Sequence, residues 1–335
     1  MIRKLLVIRF SALGDIAMTV PVVASLCAQY PSLQVTMLTS KVGAKIYAAV
    51  LPAVPNLTVR GIDVKKDYHG IGGLNRLYHE LKADGYDAVA DLHDVLRTKW
   101  LNLRFALHRT PKARIDKGRK DKKALVAHKH DRQLKSSIER YREVFGELGL
   151  PVQLDFVPQP LASDLKLAGA VNVGIAPFAQ HRGKIYPAGQ MLQVIDHLLA
   201  ARPDLHLYLF GGPDEQAVLE QWTARCPERI TNTAGKQFLG DDLRMMSQLD
   251  CIISMDSANM HMASLVGCRA ISIWGATDTK AGFYGYRQSP DDIICLPLGC
   301  RPCSIYGNKP CRFGDFRCLT GIAPQTVAEK VLSCL

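Results

Sequence analysis

The sequence predicts an α/β protein of two doubly wound domains, each a parallel sheet covered by helices, facing each other across a cleft. Three observations carry this. Apolar runs of strand length alternate with amphipathic segments almost throughout. The alternation breaks at Pro151–Pro160, where three prolines in ten residues exclude helix and read as an extended linker. The 335 residues also exceed what one core ordinarily organises. The expected domains are residues 1–155 and 156–322, with a C-terminal helix over 323–335 free to pack back on the first domain.

In order, the first half offers strands at Leu5–Arg9, Gln34–Thr39, Leu57–Ile62, Ala88–Leu92 and Ala113–Ile115. These are short, mostly apolar runs, as strands buried on both faces require. Helical patterns fit Ile16–Cys27, Gly73–Ala83 and Ser136–Leu148. After the linker, strands fit Val171–Ala176, His206–Phe210, Ile230–Thr233, Cys251–Ser254 and Ala270–Trp274. Helices fit Ala188–Ala201, Glu215–Arg225, Asp241–Leu249 and Met260–Val266, and a last piece fits Thr326–Leu332.

Composition narrows the function. No apolar run reaches the roughly eighteen residues of a membrane span. Arg9 and Asp15 interrupt the N-terminal apolar run too early for a secretory signal. The ten cysteines therefore read as reduced cytosolic thiols. The net charge is +11, and Arg97 to Lys123 contains eleven Lys/Arg against Asp116 and Asp121. Such a stretch suits a polyanion: nucleic acid, anionic lipid or a phosphorylated glycan.

Ligands of doubly wound sheets bind beyond the carboxyl ends of the strands. The first strand runs into Ser11-Ala12-Leu13-Gly14-Asp15. A dinucleotide site would place G-x-G-x-x-G there, and only Gly14 is present; no P-loop motif occurs anywhere. Asp15 is then either a helix cap or a catalytic carboxylate.

Three ends in the second half can converge. Ala179–Pro187 brings Arg182 and Lys184, cations suited to phosphate. Phe210–Glu215 brings glycines and then Asp214, a carboxylate able to grip sugar hydroxyls, with Glu215 as its alternative. Ser254–His261 runs a buried strand into Asp256, Ser257 and a helix start whose N–H groups can hold a diphosphate, with His261 in its first turn. Cys300, Cys303, Cys311 and Cys318 are spaced more loosely than paired zinc knuckles, so zinc is the weaker reading and no cofactor is expected. No Asp-x-Asp occurs that would hold a divalent ion on a nucleotide-sugar.

With these residues in view, the chain resembles the bacterial lipopolysaccharide core heptosyltransferases, the ADP-heptose-dependent members of glycosyltransferase family 9. The resemblance runs nearly end to end and is most specific in VIRFSALGDIAMTVPVV and SMDSANMHMASLVGCRAISIWGATD. It implies the GT-B fold, an acceptor site on the N-terminal domain and a nucleotide-sugar site on the C-terminal one. The family's catalytic base in the S-x-x-G-D turn falls on Asp15. Its phosphate-binding lysine falls on Lys184, and its D-[ST]-G-x-x-H segment falls on Asp256, Ser257 and His261. Ala258 stands where family members usually have glycine.

The expected donor-binding set is Lys184, Arg182, Asp214, Asp256, Ser257 and His261. The expected acceptor-binding set is Ser11, Gly14, His93, Arg97, Arg119 and Lys120. The implied activity is inverting, metal-independent transfer of heptose from ADP-heptose to a phosphorylated, Kdo-containing lipid A acceptor. The enzyme is expected in the cytoplasm, held by charge rather than insertion on the inner-membrane surface. The rivals are a GT-B enzyme acting on another nucleotide-sugar, by transfer or epimerisation, and a basic nucleic-acid-binding protein. The latter lacks a recognised motif, and no nucleic-acid partner is expected.

Overall fold

A computed structural model describes residues 2–335. It divides into two compact units: residues 1–118 with 135–157, and residues 119–134 with 158–335.

The first unit contains β1 (Lys4–Arg9), α1 (Leu13–Gln29), β2 (Gln34–Ser40), α2 (Lys41–Val50), β3 (Leu57–Ile62), α3 (Gly70–Ala83), β4 (Ala88–Asp91), α4 (Leu96–Leu107) and β5 (Lys112–Arg114). Next in the chain comes α5 (Arg119–Val126), which belongs to the second unit, and then α6 (Ser137–Glu147), which returns to the first. Its five strands are parallel in the order β3-β2-β1-β4-β5. Strand order reverses between β1 and β4, so a crevice opens at their carboxyl ends. Leu5, Leu6, Val7 and Ile8 of β1 are fully buried, which explains why this strand reads as an unbroken apolar run. The start of α6 is a capping box: Ser136 Oγ accepts from the Glu139 N–H at 3.1 Å, and the Glu139 carboxylate accepts from the Ser136 N–H at 2.7 Å.

The second unit adds β6 (Val171–Ala176), α7 (Ala188–Ala201), β7 (Leu205–Leu209), α8 (Gln216–Thr223), β8 (Ile230–Asn232), α9 (Leu239–Met246), β9 (Cys251–Met255), α10 (Ala258–Leu265), β10 (Ala270–Ile273), β11 (Ile293–Ile294), α11 (Arg317–Thr320) and α12 (Pro324–Leu332). Its sheet is parallel in the order β11-β10-β9-β6-β7-β8, with the reversal between β6 and β9. The two-residue β11 has no sequence signal of its own.

Two boundaries differ from the sequence reading. The helix α12 is not a separate piece: Val327, Ala328 and Val331 lie in the core of the second unit, against α7. Residues 119–134 also join that unit, because Leu125 and Leu134 bury against Ala281 and the Lys122 ammonium sits 4.1 Å from the Phe283 ring centroid. The basic stretch Arg97–Lys123 is therefore divided between the two units. Its first part lies on α4 and β5, and its second part lies on α5 in the other unit.

Candidate active site

In the first unit the crevice between β1 and β4 gathers most of the residues expected to meet an acceptor. The chain leaves β1 at Phe10 and enters α1 after Ala12, which occupies the cap position. Asp15 is therefore the third residue of the first turn rather than the cap itself, and one of its oxygens accepts the Ala12 N–H at 3.2 Å. The same oxygen lies 2.6 Å from the Arg9 guanidinium; the Arg9 side chain is 6% exposed and that of Asp15 28%. Arg9 also donates to the Leu92 carbonyl at 2.6 Å and lies over the Tyr141 ring. A buried cation thus holds a partly exposed carboxylate at the end of β1.

His93 follows β4 in a turn shaped by a buried carboxylate. Asp91 accepts the N–H groups of His93 and Asp94 through one oxygen and the Asn102 amide through the other, at 2.8, 3.0 and 2.6 Å. Burial, with Arg9 and Lys117 nearby, pushes the imidazole down from its ordinary 6.5 to about 3, so it is neutral. The Phe10 N–H donates to Nδ1 at 3.4 Å, which leaves Nε2 protonated and donating to Ser11 Oγ at 3.3 Å. His93 therefore orients Ser11. Asp94 is buried with a left-handed φ of 47°, and its carboxylate faces Arg114 at 3.4 Å and Lys99 at 3.6 Å.

Ser11, His93 and Arg97 line one cavity of about 310 Å³ together with Ser40, Lys41 and Lys65. Gly14 lies beside Asp15 in the first turn of α1. Arg119 and Lys120 do not join this group: they start α5 in the second unit. There Arg119, Lys122, Lys123 and Lys309 line a separate cavity of about 620 Å³ with Ile305 and Tyr306.

In the second unit the corresponding crevice lies between β6 and β9. The loop after β6 makes a single 3₁₀ turn, Arg182–Lys184, and the Lys184 ammonium meets the Asp256 carboxylate at 2.8 Å. Asp256 directly follows β9 and is buried. Close backbone packing places Lys184: the Gly183 N–H donates to the Gly307 carbonyl at 3.2 Å, and the Ala276 N–H donates to the Gly183 carbonyl at 2.8 Å. Gly307 has a φ of 74°, and a Cβ there would stand 2.7 Å from Lys184 Cγ, so only glycine fits both the turn and the lysine stem. Arg301 fastens the loop after β10 by donating to the carbonyls of Gly275, Leu296 and Thr277 at 2.5, 2.7 and 2.9 Å.

Ser257 caps α10 without a side-chain bond to its first turn, and its hydroxyl lies 3.3 Å from that of Ser254. The N–H groups of that turn therefore have no side-chain cap. His261 is buried in the same helix. Arg182 stacks over Phe316, 5.1 Å from the ring centroid. Asp214 is exposed on the 3₁₀ turn after β7, whereas the Glu215 carboxylate is taken up by the Gly212 N–H at 2.7 Å. Cys300, Cys303, Cys311 and Cys318 line one small cavity of about 20 Å³, but among the described residues no three His, Cys, Asp or Glu side chains are arranged to hold a metal ion.

Sequence reasoning missed Arg9, Lys41, Lys65 and the positioning residue Asp91. Arg9 did carry a signal: an arginine closing an otherwise apolar buried strand needs an anion, and Asp15 is the nearest one in the chain.

The chain is 23% identical over 293 residues to the lipopolysaccharide core heptosyltransferase OpsX of Haemophilus influenzae, covering 81% of this chain and 79% of the relative. It is 27% identical over 289 residues to lipopolysaccharide heptosyltransferase 3 of Escherichia coli, covering 79% and 81%. The solved structure of the E. coli heptosyltransferase WaaC with ADP superposes at a TM-score of 0.70 with 16% identity, over 99% of this chain and 100% of that one, which shows the shared GT-B fold. Residues 74–312 match glycosyltransferase family 9 (heptosyltransferase), and to that family of glycosyltransferases the chain belongs.

Proposed function

We propose that this chain is an inverting heptosyltransferase that moves heptose from ADP-heptose onto the phosphorylated, Kdo-bearing inner core of lipopolysaccharide at the cytoplasmic face of the inner membrane. The observation that carries the reading is the placement of the two charged constellations. Arg9–Asp15 stands at the strand-order reversal of the first sheet, and Lys184–Asp256 stands at that of the second. The names of the two curated relatives and the ADP held by WaaC support the choice of acceptor and donor.

The chemistry divides between the units. Asp15 takes the proton of an acceptor hydroxyl as that oxygen attacks the anomeric carbon. The bond from that carbon to the diphosphate oxygen breaks with its electron pair leaving on ADP. Lys184, Arg182 and the N–H groups opening α10 offset the developing negative charge. A single displacement inverts the anomeric centre, and fixed positive charge stands in for a metal. Asp256 holds the Lys184 ammonium in place, Asp214 grips the ribose, and Ser257 and His261 contact the diphosphate and sugar. Arg97, with Lys41 and Lys65, meets acceptor phosphate in the cavity beside Ser11.

A thermal-shift panel of ADP-, UDP-, GDP- and CMP-sugars tests the donor. ADP and ADP-heptose are expected to raise the melting temperature, because a ligand bound only by the folded state stabilises it by mass action. A UDP-sugar that stabilises while ADP does nothing would overturn the donor assignment.

A further inference from the structure

The outer face of α4 carries an apolar stripe that sugar transfer does not use. On the inner face, Leu101 and Phe105 bury in the core of the first unit. On the other side Leu96, Leu103 and Leu107 are 85%, 52% and 69% exposed. Trp100 lies half-buried among them, its indole N–H donating to Asn75 at 3.2 Å. At 3.6 residues per turn these four side chains fall within about 60° of the helix circumference.

One edge of the stripe is flanked by Lys99 and the other by Arg97 and Arg104, and α4 contains no acid. The helix α3 crosses the sheet in the same direction beside α4 and adds Ile71, 63% exposed, one turn before Asn75. Single exposed leucines are ordinary surface, but a continuous stripe rimmed by cations on both edges is the pattern of a helix lying in a membrane interface. At twelve residues α4 is too short to span a bilayer. Its first turn opens on the cavity of Ser11 and His93, which Val95 and Arg97 also line.

We propose that α4 docks this protein on an anionic bilayer, with Leu96, Trp100, Leu103 and Leu107 immersed at the headgroup–acyl boundary and Lys99 and Arg104 beside lipid phosphates. Attachment is then by shallow apolar insertion as well as by charge. The contact is with bulk lipid, so it goes beyond the transfer reading and is measured without donor or acceptor.

The test is co-sedimentation of the full chain with vesicles of phosphatidylglycerol and phosphatidylethanolamine, against phosphatidylcholine alone. Binding to the anionic vesicles is expected. The triple variant Leu96→Gln, Leu103→Gln, Leu107→Gln should lower the partition coefficient by about tenfold or more while keeping the parental melting temperature. If the triple variant melts early, Leu96→Gln alone, at the most exposed position, should still lower it several-fold. Trp100 emission should shift to the blue on vesicles, and the shift should vanish in Trp100→Phe, since Trp222 and Trp274 are buried. The proposal is overturned if the leucine variants bind as the parent does, or if high salt alone strips the parent completely. It is equally overturned if the parent is a dimer that the triple variant dissolves, because the stripe would then be a protein interface.

Discussion

Asp15 faces two demands. As the base we propose, it accepts a proton, and as the partner of Arg9 it neutralises a buried guanidinium at 2.6 Å. Asp15→Asn keeps an acceptor for the Ala12 N–H but strands the Arg9 charge, so it is expected to cost about 1–3 kcal/mol of stability. Turnover should fall roughly a hundredfold or more while ADP binding persists. Saturated turnover measured beside the melting temperature checks both, and an Asn variant within a few-fold of the parent rules Asp15 out as the base. His93 makes a different demand. It titrates at about 3 when folded against 6.5 ordinarily. Between those values the unfolded chain binds the proton and the folded chain does not. Stability from this group is complete above about pH 6.5 and is lost as pH falls toward 3, by at most ~1.4 kcal/mol per pH unit. Melting temperature plotted against pH should be shallower across that window in His93→Gln, and an unchanged slope would contradict the buried neutral ring.

At the scale of elements, the proposed donor side depends on loops that touch backbone to backbone. The loops after β6 and β10 and the segment around Gly307 are stitched together through Gly183 and Ala276. Gly307→Ala would place a methyl 2.7 Å from Lys184 Cγ at a φ of 74°. We expect it to destabilise by about 2–4 kcal/mol. By moving the lysine it should also weaken ADP binding, which Asp15→Asn leaves intact. Calorimetric titration of ADP into both variants separates them, and parental affinity in Gly307→Ala would show that Lys184 is not held by this packing. In the first unit, Asp91 ties the turn after β4 through three bonds.

At the scale of the whole chain, the metal-independent catalysis we propose is the claim most open to test. Turnover is expected to continue in EDTA, since Lys184, Arg182 and the start of α10 supply fixed positive charge to the leaving diphosphate. Loss of activity in chelator, restored by magnesium or manganese, would contradict it. Loss of the fold in chelator would instead assign metal to the cavity of Cys300, Cys303, Cys311 and Cys318. The net charge is +11 overall, and its densest stretch, Arg97–Lys123, is divided between α4 with β5 in one unit and α5 in the other.

The sequence by itself determined the doubled α/β architecture, most strand positions and the residues that close β1, β6 and β9. Those features are local: apolar runs bury as parallel strands, and small polar residues mark where each strand stops. The tertiary structure alone decided which charges meet. The pair Lys184 with Asp256 depends on strand order, which linear spacing does not encode, and the Arg9–Asp15 pair, though hinted at by the nearness of the two residues in the chain, depends on the depth of each side chain. The assignment of α5 was likewise beyond reach. Five of its eight residues are charged, and the contacts that join it to its unit, Leu125 beside Ala281 and Lys122 over Phe283, reach more than 150 residues along the chain.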